Sequence, residues 1–215
     1  MPEKKRPRRT RERILETSLA LFNRRGAPHV TTADIAGEMD ISPGNLYYHF
    51  RNRDEIVGEL YAAFEARLKP LLADPRGREI GVEEFWLWLH LLFELMGEYR
   101  FLYRDLDELA ARDPTLAMRF GRMLRQGTAT VVELCRAMVG AGTMNASERE
   151  IAALAGNVVL VATYWQSFAR IGRPSPENAG ETDAGRAAYQ VLALIAPYLV
   201  GDARALIDRL GRDYL

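Results

Sequence analysis

The strongest constraint on the fold is a pair of short helices that the sequence predicts between Thr31 and Phe50. Thr31 can cap the first helix, because Asp34 follows three residues later in a variant of the capping box. Ser42 and Pro43 restart the chain, since a hydroxyl caps a helix and proline is tolerated at its first position. Two short helices joined by about three residues are typical of a helix-turn-helix.

The rest of the chain is also predicted to be helical, with no internal repeat and no strand alternation. A helix over 9–23 precedes the pair, and another begins at Asn52 and ends near Lys69. Further helical segments are predicted near 82–97, 98–112, 114–140, 147–171 and 183–199. The turn-rich stretch 74–78 is the best boundary candidate. We therefore expect an all-α chain with an N-terminal region over 1–53, a linking helix over 54–75 and a larger region over 76–215.

The net charge of zero conceals an asymmetry between these regions. Residues 1–53 carry eleven Lys and Arg against six Asp and Glu, so the remainder carries the opposite excess. This split suggests one charged interaction module. The first thirteen residues could form a solvated tail or an arm that contacts phosphates or the minor groove of DNA. Their basic residues are Lys4, Lys5, Arg6, Arg8, Arg9, Arg11 and Arg13.

Composition narrows the class of protein. A hydrophobic share of 48% and a charged share of 27% are ordinary for a water-soluble globular chain. The longest apolar stretches, 85–96 and 158–168, fall short of the roughly 20 residues of a membrane span, and the basic N-terminus lacks the apolar core of a secretory signal. The lone Cys135 excludes an internal disulfide and favours the cytoplasm, with a core position more consistent with its apolar surroundings than a redox switch.

Catalysis is disfavoured by what the sequence lacks. The sequence has three histidines and contains no HExxH or CxxC motif that could bind zinc. It also contains no glycine-rich phosphate-binding loop. Asp105, Asp107 and Glu108 are more easily interpreted as a polar helix face than as a catalytic acid and base. We expect no metal and no cofactor.

The second helix of the pair carries unusual chemistry on its outer side. Leu46 and Phe50 are four residues apart and predict a core face. The other residues of this helix are suited to the major groove of DNA, where amide and ring side chains meet base edges and phosphates. They are Gly44, Asn45, Tyr47, Tyr48 and His49. The alternative is a solvent-exposed helix with its aromatic residues partly tucked under the first helix. Arg51 and Arg53 favour the DNA interpretation, because they follow where phosphates flank such a helix.

The run VTTADIAGEMDISPGNLYYHFRNRDEIV resembles the DNA-binding segment of the TetR family of bacterial repressors. The resemblance covers roughly residues 9–60 and includes the preceding LFNRRG. YRFLYRDLDEL, residues 99–109, is similar to one branch of TetR-like regulators. Elsewhere beyond residue 75 the likeness is one of architecture only.

This resemblance implies a role for each matching position. Thr32 and Tyr48 are expected to touch phosphates, and Arg53 stands where the family usually has a phosphate-binding lysine. Ala33 replaces a base-reading arginine of some members, so DNA shape is expected to supply part of the specificity. The full predicted DNA-binding set is Arg9, Thr31, Thr32, Pro43, Gly44, Asn45, Tyr47, Tyr48, His49, Arg51 and Arg53.

The resemblance also implies that the C-terminal region is a ligand-binding and dimerisation domain. The pocket candidates are Trp86, His90, Phe93, Phe101, Tyr103, Met118, Met123, Tyr164 and Trp165. For any one of them a place in a plain hydrophobic core is the favoured alternative. His90 is more consistent with a hydrogen-bonded core histidine than with a ligand contact. The dimer-interface candidates are Ala152, Ala155, Gly156, Val159, Ala188, Val191 and Ile195.

The expected function is that of a dimeric repressor of double-stranded operator DNA, which a small hydrophobic effector releases. Its expected partners are operator DNA, a second copy of itself and an unidentified effector, with no membrane. An activator of the same fold and a ligand-independent regulator are the alternatives, and an enzyme is disfavoured.

Overall fold

The computed structural model describes residues 7–73, 81–171 and 181–210, and within these ranges it is helical without a β-strand. The all-α class with an N-terminal helix-turn-helix and a larger C-terminal helical part is therefore confirmed. The described helices are α1 (Pro7–Arg25), α2 (Thr32–Glu38), α3 (Pro43–His49), α4 (Arg53–Leu68), α5 (Val82–Glu98), α6 (Arg100–Arg104), α7 (Leu106–Arg112), α8 (Pro114–Gly140), α9 (Glu148–Ile171), α10 (Glu181–Ile195) and α11 (Gly201–Leu210). Single 3-10 turns cover Ala27–His29 and Ala196–Tyr198.

The chain forms two compact units whose limits differ from the expected domains. The first unit contains the residues up to Ala66 together with Tyr99–Ala117. The second contains Arg67–Glu98 and the residues from Met118 onward. The boundary therefore falls inside α4, and α6 and α7 belong with the N-terminal helices instead of with the C-terminal region.

The helix starts of the first unit follow the signals in the sequence. The Thr31 hydroxyl accepts from the Asp34 backbone N–H, and the Asp34 carboxylate accepts from the Thr31 backbone N–H in return. The Ser42 hydroxyl accepts from the Asn45 N–H at 3.2 Å. The Asn52 side chain accepts from the Glu55 N–H at 2.8 Å. These bonds satisfy backbone donors that have no partner within the helix, which is why the helices begin there.

The sequence pattern missed two features of the later helices. The segment expected as one helix over 98–112 is broken at Asp105, where the carboxylate accepts from the Ala27 N–H at 2.8 Å. The sequence could not indicate this partner, because it lies 78 residues away. The helix expected over 183–199 ends at Ile195, and α11 follows as an additional helix.

The core of the first unit is rich in aromatic rings. Phe64 is fully buried and contacts the rings of Tyr61, Tyr99 and Tyr103, with centroids 6.1, 5.4 and 5.9 Å away. Phe22 packs against Phe101 at 5.3 Å. Because three of these rings come from Tyr99–Tyr103, that segment is part of the hydrophobic core beneath the helix-turn-helix.

In the second unit α10 packs against both α9 and α5. Cys135 is fully buried in this unit, and burial raises the pKa of its thiol to about 11. A thiol that stays protonated at neutral pH is a poor nucleophile, which supports the core interpretation over the redox switch.

Helix α9 is the one described helix that is long and apolar enough to cross a membrane, over Glu148–Ala169. This apolar stretch is longer than the 158–168 segment that stands out in the sequence. Ile151, Leu154, Ala155 and Val158 are buried in the second unit, but only 28% of the most apolar part of the helix is buried.

Candidate nucleic-acid interface

The turn between α2 and α3 sets the direction of the second helix. Asp40 adopts a left-handed backbone conformation with φ of 52°, which aspartate tolerates better than most residues. The Ile41 N–H then donates back to the Ala36 carbonyl at 3.0 Å. The chain reverses within three residues, and α3 starts at Pro43.

Helix α3 presents the two faces that the sequence predicted. Leu46 and Phe50 are buried in the first unit, at 0% and 1% exposure. Tyr47 is 53% exposed and Tyr48 is 79% exposed. Also exposed are Pro43, Gly44, Asn45 and the following Arg51, whereas His49 is half-buried. Patches of large exposed aromatic side chains often mark interaction sites, so this face is a candidate interface.

The N-terminus of α2 contributes one hydroxyl to the same surface. The Thr32 hydroxyl lies 3.1 Å from the Tyr47 hydroxyl, within hydrogen-bond distance. The Thr31 hydroxyl instead donates its single hydrogen to Asp34 at 2.6 Å. Thr31 therefore serves the helix cap, and Thr32 is the threonine of this pair that faces α3.

The Thr31–Asp34 capping box predicts a response to acid. Hydrogen bonds from the Thr31 hydroxyl and backbone, with the charge of Arg25, hold the pKa of Asp34 below its ordinary value. A lowered folded-state pKa stabilises the fold above the unfolded value of about 4, and this stabilisation is lost as the pH falls through the folded value. We expect Asp34→Asn to reduce the loss of stability below about pH 4 in urea unfolding.

The matched control for this prediction is Asp40→Asn, because asparagine also tolerates the left-handed conformation. Asp34→Asn should depart further from the wild-type pH profile than this control does. Parallel acid profiles for Asp34→Asn and the wild type would contradict the prediction.

Arg53 is engaged within the first unit. Its side chain is 16% exposed, and Nη1 donates to the carbonyls of Ala27 and Pro28, each at 2.9 Å. The guanidinium is turned inward and satisfies two loop carbonyls, which the resemblance did not indicate, and the phosphate contact of Arg53 stays a prediction.

The basic arm is shorter than expected, because α1 begins at Pro7. Arg9 is exposed on α1. Arg11 lies 4.8 Å from the centre of the Phe50 ring and pairs with Glu59 at 2.8 Å, so it is engaged within the first unit. Lys4, Lys5 and Arg6 lie outside the described residues.

The pocket candidates belong to both units and differ in burial. Phe101 and Tyr103 are core residues of the first unit, and Phe93 and Met123 are buried in the second. Met118 and Tyr164 are exposed, at 65% and 43%. The half-buried Trp165 packs against Phe168 with centroids 5.7 Å apart.

His90 is not the core histidine that the sequence suggested. It stacks on the half-buried ring of Trp86 at 5.4 Å and pairs with Glu94 at 3.3 Å, with a side chain that is 41% exposed. The preceding turns of α5 bury Phe85 and Leu89, so His90 faces outward.

The dimer candidates divide into buried and exposed residues. Four of them are at most 3% exposed and belong to the core of the second unit, namely Ala155, Ala188, Val191 and Ile195. These four are not available to a partner, which corrects the sequence-based expectation. Ala152 and Gly156 are exposed, and Val159 is half-buried.

Sequence reasoning missed an apolar face of α9 that is open to solvent. Leu160, Tyr164 and Phe168 are spaced four residues apart and are 56%, 43% and 69% exposed. With the exposed Ala152 and Gly156, they form a continuous stripe along the helix, which we call the α9 stripe. The four-residue spacing was the available signal, but apolar residues on the buried side of α9 obscured it.

Two family profiles match the chain. The profile described as "Bacterial regulatory proteins, tetR family" covers residues 14–60, and the one described as "Bacterial transcriptional repressor" covers residues 63–207. The matches meet within α4.

Solved structures agree with these matches. A TetR-family transcriptional regulator from Marinobacter aquaeolei is 34% identical, with 95% of this chain and 98% of that chain covered and a TM-score of 0.84. A transcriptional regulator from Saccharomonospora viridis in complex with choline has the same fold, at 17% identity, 90% and 99% coverage and a TM-score of 0.70.

The HTH-type transcriptional repressor KstR2 of Mycobacterium tuberculosis is 41% identical over 54 residues, which are 25% of this chain and 27% of the relative. Its solved structure, described as that of a ketosteroid transcriptional regulator, shares the fold at 21% identity, with 89% and 96% coverage and a TM-score of 0.62. The matches to curated relatives span only 24% to 54% of those proteins' lengths. Since the family profiles together cover most of its length, the chain belongs to the TetR family of bacterial regulatory proteins.

Proposed function

We propose that this protein is a transcriptional repressor that binds a near-palindromic operator as a homodimer and is released by a small hydrophobic effector. The observation that carries the proposal is the outer face of α3. Asn45, Tyr47 and Tyr48 are exposed there, while Leu46 and Phe50 anchor the helix in the core. Family members are transcription factors and not enzymes, which supports a regulatory role.

In this proposal α3 enters the major groove and its neighbours hold the backbone. Asn45 and Tyr47 read bases, since an amide can pair with an adenine edge and a ring can contact a thymine methyl. Thr32, Tyr48 and Arg51 contact phosphates, which fixes the register of the helix without conveying sequence. The two α3 helices of a dimer then occupy successive grooves about 34–36 Å apart.

The α9 stripe is the proposed dimer surface. Its exposed Leu160, Tyr164 and Phe168 form an apolar patch of the kind that marks a protein interface. Ala152 and Gly156 at the other end of the stripe would let two copies of the helix approach closely. A two-fold axis would place the same stripe on both subunits.

The proposed effector binds the C-terminal region. The choline complex and the ketosteroid regulator among the structural neighbours support a small-molecule ligand, and the aromatic side chains of α5 and α9 favour a hydrophobic one. Release requires that the effector has different affinities for the DNA-binding and released states. Native mass spectrometry of the protein purified from its own host should detect a bound small molecule, and its absence would favour a ligand-independent regulator. The proposed site of action is the cytoplasm.

Operator binding across a salt series tests the DNA-binding half of the proposal. With operator DNA selected from genomic fragments, Asn45→Ala should lower affinity roughly 10²- to 10⁴-fold without changing the salt slope, because the dimer loses one base contact in each half-site. Arg51→Ala should weaken binding to all sequences and reduce the slope of log K against log salt by about 1.8, because the dimer loses one phosphate contact in each half-site.

The free energy of unfolding of both variants serves as the control, because these exposed side chains should have little effect on stability. A wild-type protein that has no sequence preference and a flat salt response would overturn the proposal.

A further inference from the structure

Two side chains from other elements of the first unit hold the turn that joins α1 to α2. Both of them bind the backbone of a single residue, Ala27. Ala27 is fully buried at the start of this turn. Its carbonyl accepts from Arg53 Nη1 at 2.9 Å, and its N–H donates to Asp105 Oδ2 at 2.8 Å. One charged residue from the start of α4 and another from the break between α6 and α7 therefore hold the two backbone polar groups of a single residue.

The Asp105 carboxylate is itself fixed by Arg104. Arg104 Nε lies 2.9 Å from Asp105 Oδ1, and the two side chains are only 16% and 11% exposed. The same guanidinium donates to the carbonyls of Phe22 at 2.6 Å and Asn23 at 3.1 Å, which lie in the last turn of α1. A buried charge is costly unless it is paired, so this arrangement resists displacement.

The geometry of the turn leaves little freedom between these contacts. Gly26 has a φ of 95°, and a Cβ at this position would meet the His29 ring at 3.2 Å and the Arg104 guanidinium at 3.3 Å. Thr31, which caps α2, follows four residues after Ala27. The position of the turn therefore determines where α2 begins and where Thr32 meets Tyr47.

We propose that Arg53 and Asp105 are positioning residues for operator recognition, which hold the α1–α2 turn from opposite sides without touching DNA. The inference rests on the proposed function, because it concerns the same interface. It assigns Arg53 a different role from a phosphate contact, since Nη1 already serves two carbonyls and the side chain is mostly buried.

The test is operator binding by the full-length chain across a salt series, with the variants Arg53→Ala, Asp105→Ala and their combination. Each single variant should lower affinity about tenfold with an unchanged salt slope, because no phosphate contact is lost. The double variant should lose less than the product of the two single losses, since both residues hold Ala27. Arg51→Ala is the matched control, which should lower the slope by about 1.8 because the dimer carries the substitution twice.

Amide hydrogen exchange of Ala27 provides a second measurement that does not depend on DNA. Asp105→Ala should speed exchange of this amide, whereas Asp105→Asn keeps an oxygen acceptor and should restore both protection and most of the operator affinity. If Asp105→Ala fails to fold, the operator affinity and the Ala27 amide exchange of Asp105→Asn still test the inference.

Two results would overturn the inference. One is a salt slope that Arg53→Ala lowers as much as Arg51→Ala does, and the other is unchanged operator affinity in Asp105→Ala. If the wild type itself fails to select an operator, the proposed function is wrong, whereas wild-type binding with either of these results removes only the positioning role.

Discussion

Replacing both Leu160 and Phe168 with glutamate is expected to convert the protein from a dimer to a monomer and to abolish tight operator binding. The two side chains are 56% and 69% exposed on the α9 stripe. Because a two-fold interface contains each substitution twice, four carboxylates would enter an apolar contact without partners. A monomer reaches only one half-site, so operator affinity should fall by about 10²- to 10⁴-fold.

Sedimentation velocity and operator binding measure the two effects on the same preparation. Leu87→Glu is the matched control, since Leu87 is a leucine of similar exposure, 50%, on α5. It should remain dimeric and bind the operator as the wild type does. A Leu160→Glu, Phe168→Glu variant that sediments as a dimer would exclude the α9 stripe as the interface.

Truncating Phe64 to alanine is expected to lower the free energy of unfolding strongly. The Phe64 ring is fully buried and contacts Tyr61, Tyr99 and Tyr103. Removing a buried phenylalanine ring typically costs about 3–5 kcal/mol, through lost burial and the cavity left behind. Urea unfolding at fixed protein concentration measures the change, since the stability of a dimer depends on concentration.

Tyr48→Ala is the control for Phe64, because it removes an aromatic ring of the same unit that is 79% exposed. The free energy of unfolding of this variant should stay within about 0.5 kcal/mol of the wild type. Equal losses in the two variants would mean that the Phe64 cluster does not stabilise the fold more than a surface ring does.

The local structure of the helix-turn-helix was predictable from neighbouring residues alone. Thr31 with Asp34, and Ser42 with Pro43, act over no more than three residues, so their pattern is sufficient to predict where α2 and α3 begin. The buried face of α3 was predictable for the same reason, since a four-residue spacing places Leu46 above Phe50 in any helix.

Which side chains are available to a partner could not be predicted in this way. Arg53 was expected at phosphate because of its position beside α3, but its acceptors, the Ala27 and Pro28 carbonyls, lie 26 and 25 residues back along the chain. The break at Asp105 likewise depends on a donor 78 residues away. Such contacts form only when the whole unit packs, and no local pattern contains them.

The same dependence on tertiary packing explains why the sequence could not separate buried from exposed residues among the dimer candidates. Helix α9 is apolar on two sides, and periodicity cannot distinguish the side that packs inside the second unit from the side left open. Packing buried Ala155 and left Leu160 and Phe168 exposed. The amino-acid pattern was therefore enough for the fold class and the helix-turn-helix, whereas tertiary packing selected which apolar and charged residues remain free to act, because burial depends on every neighbouring helix at once.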